Sequence, residues 1–186
     1  MEQPVPSVLV QLVFLVPAAA SVLAWLLGRM RRALAELVGL LGAAGALIVA
    51  IEMIGPTLRG QILTGWGREL RVDSLSALLV LLISAVALSA ALFSIRYMRR
   101  RRLHDTQGRD TTDARLPVFY GLFLLFLATM LWGCVTNNII MLYVAVEATT
   151  IASGLLVAFY WDRRSLEAGY KYLMLLTVGI TFALFA

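Results

Sequence analysis

Apolar residues occur along the chain in six long runs, and short polar stretches separate them. Each run holds about 19 to 23 residues, and a helix needs roughly 20 apolar residues to cross a bilayer. The pattern therefore predicts an all-α fold: a polytopic transmembrane helix bundle that forms a single transmembrane domain. The predicted helices lie near residues 7–28, 33–54, 73–95, 117–136, 138–160 and 168–186.

Local signals mark several ends of these helices. Asp73 and Asn138 directly precede apolar runs, and both residue types favour the N-cap position. Pro117 is predicted in a first helical turn, where its missing N–H is tolerated. Pro17 lies inside the first run and is expected to kink that helix. The glycine-rich connection 55–72 predicts turns and a short hairpin.

Arginines are distributed unequally among the connections. The connections after the first, third and fifth runs hold twelve arginines, and the alternate connections hold three. Because cytoplasmic loops carry the excess of positive residues, this pattern places the N-terminus outside and the arginine-rich connections in the cytoplasm. The run of arginines between Arg99 and Arg115 can also bind anionic lipid or a partner subunit.

The composition limits the chemistry available to the chain. Hydrophobic residues make up 61% of the sequence, whereas a soluble domain has about 45–50%. The single cysteine, Cys134, and the single histidine, His104, exclude an internal disulfide, a cysteine-only metal site and an iron–sulfur cluster. We therefore expect no cofactor, no metal and no redox site in this chain. The net charge of +5 follows from membrane topology, and no nucleic-acid partner is expected.

One acidic residue, Glu147, lies in the middle of the fifth apolar run. It comes nine residues after Asn138, which is roughly 14 Å along a helix and close to the midplane of a ~30 Å hydrocarbon core. A charged residue at that depth costs about 2.5 to 3.5 kcal/mol on insertion scales, and such residues usually face protein or water. Glu147 is therefore the first candidate for a functional residue.

Other polar residues follow Glu147 at helical spacing. Tyr143, Glu147, Thr150 and Gly154 are separated by four, three and four residues, so they share one helix face. Ser153 lies beside that face. Tyr143, Thr150 and Ser153 are therefore candidates for a polar path. In an alternative interpretation, Glu147 is a protonated carboxyl bonded to a neighbour, with no role in transport.

Lys171 is the only lysine of the chain, and the predicted sixth helix places it about one turn from the cytoplasmic end. Two explanations of a charged residue at this position stay open: its side chain snorkels to the membrane interface, or it takes part in relaying charge through the membrane. Glu147 is roughly 20 Å from the inner edge and Lys171 roughly 5 Å, so no direct salt bridge is expected. Hydroxyls such as Thr177, with water, can bridge part of that gap. Glu36 and Glu52, at the ends of the second helix, are expected to reach the interface.

These stretches resemble the antiporter-like, proton-translocating membrane subunits shared by respiratory complex I, Mrp-type cation/proton antiporters and membrane-bound hydrogenases. Within that family the chain is similar to component F of hydrogenase-4. The resemblance covers most of the chain after residue 70, and the VEATT, ASGLLVAFY and LEAGYKYL motifs carry most of it. The matching stretches are Val72–Met98, Phe119–Leu131, Met141–Tyr160 and Ser165–Phe185.

The resemblance implies that Glu147 is the glutamate of the family's fifth helix and that Lys171 is the lysine of its sixth. It implies proton translocation driven by electron transfer in partner subunits of a hydrogenase or NADH dehydrogenase-like complex in a prokaryotic plasma membrane. In the family the glutamate pairs with a lysine on a later helix, so the chain is expected to be the N-terminal part of a longer subunit. Two alternatives stay open: an Mrp-type cation/proton antiporter component, and a purely structural membrane subunit.

Overall fold

A computed structural model describes residues 4–29, 31–100 and 112–185 of the chain. The described residues form six long helices and a small three-stranded sheet. Two 3-10 turns lie at Trp66–Arg68 and at Ala158–Tyr160. In chain order the elements are β1 Pro4–Pro6, α1 Leu9–Gly28, α2 Arg32–Leu58, β2 Ile62–Gly65, β3 Leu70–Val72, α3 Ser74–Arg100, α4 Thr112–Val135, α5 Ile139–Val157 and α6 Arg163–Phe185.

The predicted all-α bundle of six membrane helices is confirmed, because all six helices are long and apolar enough to cross a membrane. Several of their ends differ from the sequence prediction, and the third helix continues five residues beyond the predicted end, to Arg100. The second helix continues through Pro56 to Leu58. The fourth begins at Thr112, so Pro117 lies in the second turn and the prediction of a first-turn proline was wrong. The sixth begins at Arg163, because polar residues can form the first turns of a helix whose apolar run starts later.

The centre of the bundle is formed by α1, α2 and α4, which approach closely at small residues. A methyl group added at Gly39 would overlap the ring of Tyr120, and one added at Gly42 would overlap Ala20 and Leu124. The hydroxyl of Ser21 donates a buried hydrogen bond to the carbonyl oxygen of Gly121, at 2.7 Å. Small residues therefore set the helix distances here, as is typical of packing within membranes.

One end of the bundle carries the sheet. The predicted hairpin is confirmed: β2 and β3 pair in antiparallel orientation. An unforeseen strand, β1, pairs in parallel with β2 and lies at the edge, where its prolines need no N–H donor. The connection between α4 and α5 joins this end, since the backbone N–H of Asn137 donates to the carbonyl of Glu69 at 2.8 Å.

The opposite end gathers the connections that hold most of the arginines. Gly28, at the end of α1, lies against Pro117, and the guanidinium of Arg115 donates to the carbonyl of Tyr160 at 3.0 Å. Glu36 is buried near this end, with 6% of its surface exposed, so the expectation that it reaches the interface was wrong. The arginine-rich stretch 101–111 lies outside the described residues.

The last helix lies at the edge of the bundle. It packs against α5 and the 3-10 turn that follows α5, and Gly169 is its one buried residue in the described part of the chain. Most of the surface of α6 is therefore open, including Tyr170, Leu175 and Phe182. Its neighbour α5 packs against both α4 and α6.

Candidate functional site

The helix that carries Glu147 is fixed at both of its ends. The side-chain oxygen of Asn138 accepts from the backbone N–H of Ile140 at 2.9 Å, so Asn138 is the N-cap that the sequence predicted. At the other end, Arg115 holds the carbonyl of Tyr160. Glu147 lies eight residues after Ile139, which is roughly 12 Å along α5. Glu147 therefore lies in the middle of α5, and its depth in the membrane stays a prediction.

Glu147 is half-buried between α5 and α6, and its two carboxyl oxygens have different surroundings. The hydroxyl of Thr177 on α6 donates to Oε1 at 3.2 Å. Oε2 is buried and has no hydrogen-bond partner among the described residues. An ionised carboxylate buried with one free oxygen is costly, whereas a protonated carboxyl or one joined by a donor is not. Oε2 is therefore the oxygen at which this carboxyl can form a further hydrogen bond.

The polar residues around Glu147 behave differently from one another. Thr150 is buried, and its hydroxyl donates to the carbonyl of Val146 on its own helix, at 3.0 Å. Ser153 faces α6, where its hydroxyl lies 3.0 Å from that of Tyr172. Tyr143 is half-buried and has no hydrogen bond to Glu147 within the described residues. The face predicted as one stripe therefore splits into backbone-bonded hydroxyls and groups that contact α6.

The register between α5 and α6 is set by two glycines. A methyl group added at Gly154 would overlap Leu173, and one added at Gly169 would overlap Ala158. The two helix backbones come close at this crossing, because neither glycine has a side chain to hold them apart. The crossing lies beside the Ser153–Tyr172 contact, on the side of Glu147 that leads to the connection between the helices.

Lys171 lies elsewhere on α6 and has a different partner. Its amino group lies 2.6 Å from the carboxylate of Glu167, one turn earlier, and these side chains are 67% and 59% exposed. Lys171 comes eight residues after Arg163, the first residue of α6, which is roughly 12 Å or about two turns. The prediction that it lies one turn from the start of this helix was therefore wrong. Thr177, which contacts Glu147, lies six residues or roughly 9 Å further along the helix. The structure brings Glu147 and Lys171 to the same helix pair and not into contact.

Sequence reasoning missed two residues at this helix pair. Glu167 precedes Lys171 by four positions, a spacing at which opposite charges pair on a helix, so that signal was present in the sequence. Tyr172 has no comparable local signal, because its contact with Ser153 depends on the register between two helices. No group of three or more potential metal ligands occurs among the described residues.

Comparisons with known proteins place these residues in a family context. Residues 67–105 match the family model described as "NADH-Ubiquinone oxidoreductase (complex I), chain 5 N-terminus". A hydrogenase-4 component F homolog from Methylacidiphilum infernorum is 32% identical over 61% of this chain and 23% of that protein. NADH-quinone oxidoreductase subunit N from Desulforudis audaxviator is 32% identical over 76% of this chain and 27% of that protein.

A third relative comes from a cation antiporter. An Na(+)/H(+) antiporter subunit from Alkalihalophilus pseudofirmus is 34% identical over 61% of this chain and 13% of that protein. The chain thus spans about a quarter, or less, of the length of these curated relatives. The matched model, the three kinds of relative and the six apolar helices agree with one another. The chain belongs to the family of antiporter-like membrane subunits found in complex I, hydrogenase-4 and Na(+)/H(+) antiporters.

Proposed function

We propose that this chain is part of a proton-translocating membrane subunit in which Glu147 binds and releases the transported proton. The observation that carries the proposal is the buried Oε2 of a carboxyl half-way along a membrane helix, an oxygen that has no partner among the residues the structure describes. A carboxyl inside a membrane helix is energetically unfavourable, and residues of this kind usually have a partner or a function. The hydroxyl of Thr177 donates a hydrogen bond to Oε1, and in this proposal Oε2 is the oxygen that binds the transported proton.

The surroundings of Glu147 favour a proton over a sodium ion. A hard metal cation takes a shell of several oxygen ligands. In the part of the chain that the structure describes, the hydroxyl of Thr177 is the side-chain group that bonds to the carboxyl, and the nearby hydroxyl of Thr150 donates to its own helix. The similarity to an Na(+)/H(+) antiporter subunit keeps cation/proton exchange by an Mrp-type complex as the second candidate function.

The same proposal includes the setting of the subunit. The names of two relatives, a hydrogenase-4 component and an NADH-quinone oxidoreductase subunit, support assembly with peripheral and membrane subunits that carry out the electron transfer. The chain then contributes proton transport and no redox chemistry of its own. The location in this proposal is the plasma membrane of a prokaryote, with the arginine-rich connections in the cytoplasm. Lys171 is the second residue assigned to proton translocation.

The test replaces the carboxyl in the assembled complex, reconstituted in sealed vesicles. Glu147→Gln keeps the size and the hydrogen bond from Thr177 but cannot ionise, so it should leave assembly intact and abolish proton translocation. Glu147→Asp should retain part of the activity, because its carboxyl is displaced by about one methylene. Glu52→Gln, at an exposed position near the end of α2, is the matched control and should pump normally. Normal pumping by Glu147→Gln would show that the carboxyl is structural.

A further inference from the structure

We infer that the hydroxyl pair Ser153–Tyr172 is a proton relay that connects Glu147 with the membrane face where the α5–α6 connection lies. The inference rests on the proposed function of Glu147 and adds a direction and two residues to it. Two structural features support it: the order of polar groups along the seam between α5 and α6, and the hydrogen-bonded contact between Ser153 and Tyr172 across that seam.

Polar groups follow one another along the seam in a regular order. The exposed pair Glu167–Lys171 lies nearest the α5–α6 connection, and Tyr172 follows directly. Ser153 lies opposite Tyr172 at 3.0 Å, and it is six residues, or roughly 9 Å, along α5 from Glu147. Thr150 lies between Ser153 and Glu147 on the same helix. The Ser153–Tyr172 pair therefore stands between the outermost charges and the buried carboxyl.

The hydrogen bonds allow either hydroxyl of the pair to donate to the other. Ser153 Oγ can donate its one proton to the carbonyl of Thr150, at 2.9 Å, and in that arrangement Tyr172 donates across the 3.0 Å contact. With the Ser153 proton turned towards Tyr172, the same contact runs in the opposite direction. In the first arrangement the oxygen of Tyr172 keeps lone pairs that can accept a proton from the side of the connection. Both side chains are half-buried.

A proton can pass this pair without any net change in it. The oxygen of Tyr172 takes a proton from a hydronium ion on the side of the connection and gives its own proton to Ser153 Oγ. Ser153 rotates and gives its original proton to a chain of water molecules across the roughly 9 Å that separates it from Glu147, and the last water passes a proton to Oε2. The hydronium ion loses one O–H bond and Oε2 gains one, while the oxygens of Tyr172, Ser153 and each water lose one and gain one. Rotation of the two hydroxyls restores the starting arrangement of the pair.

The test measures how fast Glu147 becomes protonated. The assembled complex is reconstituted in vesicles, the pH is lowered on the side of the α5–α6 connection, and the infrared C=O band lost in Glu147→Gln is followed with time. Tyr172→Phe and Ser153→Ala should each slow the rise of this band by about a hundredfold, the lower end of what a positioned proton-transfer group contributes. The double variant should be no slower than either single variant, because both interrupt the same path.

Two control variants separate relay from packing. Tyr170→Phe removes a hydroxyl from a residue that is 65% exposed on another face of α6, and it should leave the rate unchanged. Ser153→Thr keeps the hydroxyl and should retain the wild-type rate. If Tyr172→Phe and Ser153→Ala protonate Glu147 as fast as wild type, the relay is refuted, while blocked pumping in Glu147→Gln still supports the proposed function. Normal pumping in Glu147→Gln would overturn the proposed function itself.

Discussion

At the scale of single residues, Glu147 and Lys171 differ in their hydrogen-bond and charge partners. Glu147 has one donor from another helix and one buried oxygen without a partner among the described residues. Lys171 has a carboxylate from its own helix and a largely exposed side chain. An exposed pair of this kind contributes little to stability, about 0.3–0.5 kcal/mol. The contact between α5 and α6 therefore depends on packing at Gly154 and Gly169 and on the Thr177–Glu147 hydrogen bond, because the Glu167–Lys171 pair lies within α6.

The role of Lys171 can be tested by two substitutions. Lys171→Met removes the positive charge, and we expect it to lower proton translocation in the assembled complex. Lys171→Arg keeps the charge and should retain a substantial part of the activity. The measurement is the initial rate of proton uptake by sealed vesicles, with assembly checked on a native gel. Equal, wild-type rates in both variants would show that Lys171 only snorkels to the interface.

At the scale of elements, the membrane position of α5 depends on its two ends. Asn138 caps the helix, and its amide donates to the carboxylate of Glu69 in the hairpin at 3.1 Å. The hairpin also holds the backbone of Asn137. At the other end, α4 contributes Arg115. Movement of the hairpin would therefore be transmitted to the helix that carries Glu147.

Removal of the cap should loosen the start of α5. Asn138→Ala loses the bond to Ile140 and the bond to Glu69, and an N-cap of this type is worth about 1 kcal/mol. We expect faster amide hydrogen exchange at residues 139–142 and unchanged exchange in α1. Asn138→Asp keeps the capping oxygen but places a second negative charge beside Glu69. The exchange rate of residues 139–142 in this variant should therefore lie between the rates in wild type and in Asn138→Ala. Unchanged exchange in Asn138→Ala would exclude the cap as a determinant of this end.

The start of α6 should depend on pH. The backbone N–H of Ser165 donates to the carboxylate of Asp162 at 2.6 Å, and this bond, followed by that from the Ser165 hydroxyl, lowers the pKa of Asp162. Because the folded-state pKa is lowered, the stabilisation is fully present above the ordinary pKa of aspartate, about 4. It is lost as the pH falls through the lower folded-state value.

Amide exchange of the first turn of α6, corrected for its intrinsic pH dependence, measures this loss. Protection should be constant above the ordinary pKa of aspartate, about 4, and should fall as the pH is lowered from there through the lower folded-state pKa of Asp162. Asp162→Asn retains a capping oxygen without a titrating group, so its protection should be constant over the same range. A fall of equal size in both proteins would assign the pH dependence to other groups.

At the scale of the whole molecule, the connections are gathered at two opposite ends. The sheet and the α4–α5 connection form one end, and the contacts Gly28–Pro117 and Arg115–Tyr160 lie at the other. Twelve arginines lie between the apolar runs that are joined at the second end. From the positive-inside rule we expect that end to face the cytoplasm. In that orientation the proposed hydroxyl relay would open to the cytoplasm, and the hairpin would lie outside.

Single cysteines can test this orientation. In a Cys134→Ser background, Gln61→Cys beside the hairpin and Arg164→Cys beside α6 both introduce thiols at exposed positions. An impermeant thiol reagent added to intact cells should label the first variant and not the second. Opening the membrane should allow both to react. Labelling of Arg164→Cys in intact cells, with protection of Gln61→Cys, would reverse the predicted orientation.

The sequence by itself determined those features that depend on neighbouring residues. Apolar runs of sufficient length predicted six helices, capping residues marked the starts of α3 and α5, and glycines predicted the hairpin. Counting along a helix also placed Glu147 near its middle. The structure alone decided which groups meet across helices. Thr177 and Tyr172 contact α5 because the register set at Gly154 and Gly169 brings them there. That register arises from the packing of two helices, and no local pattern in either helix encodes it.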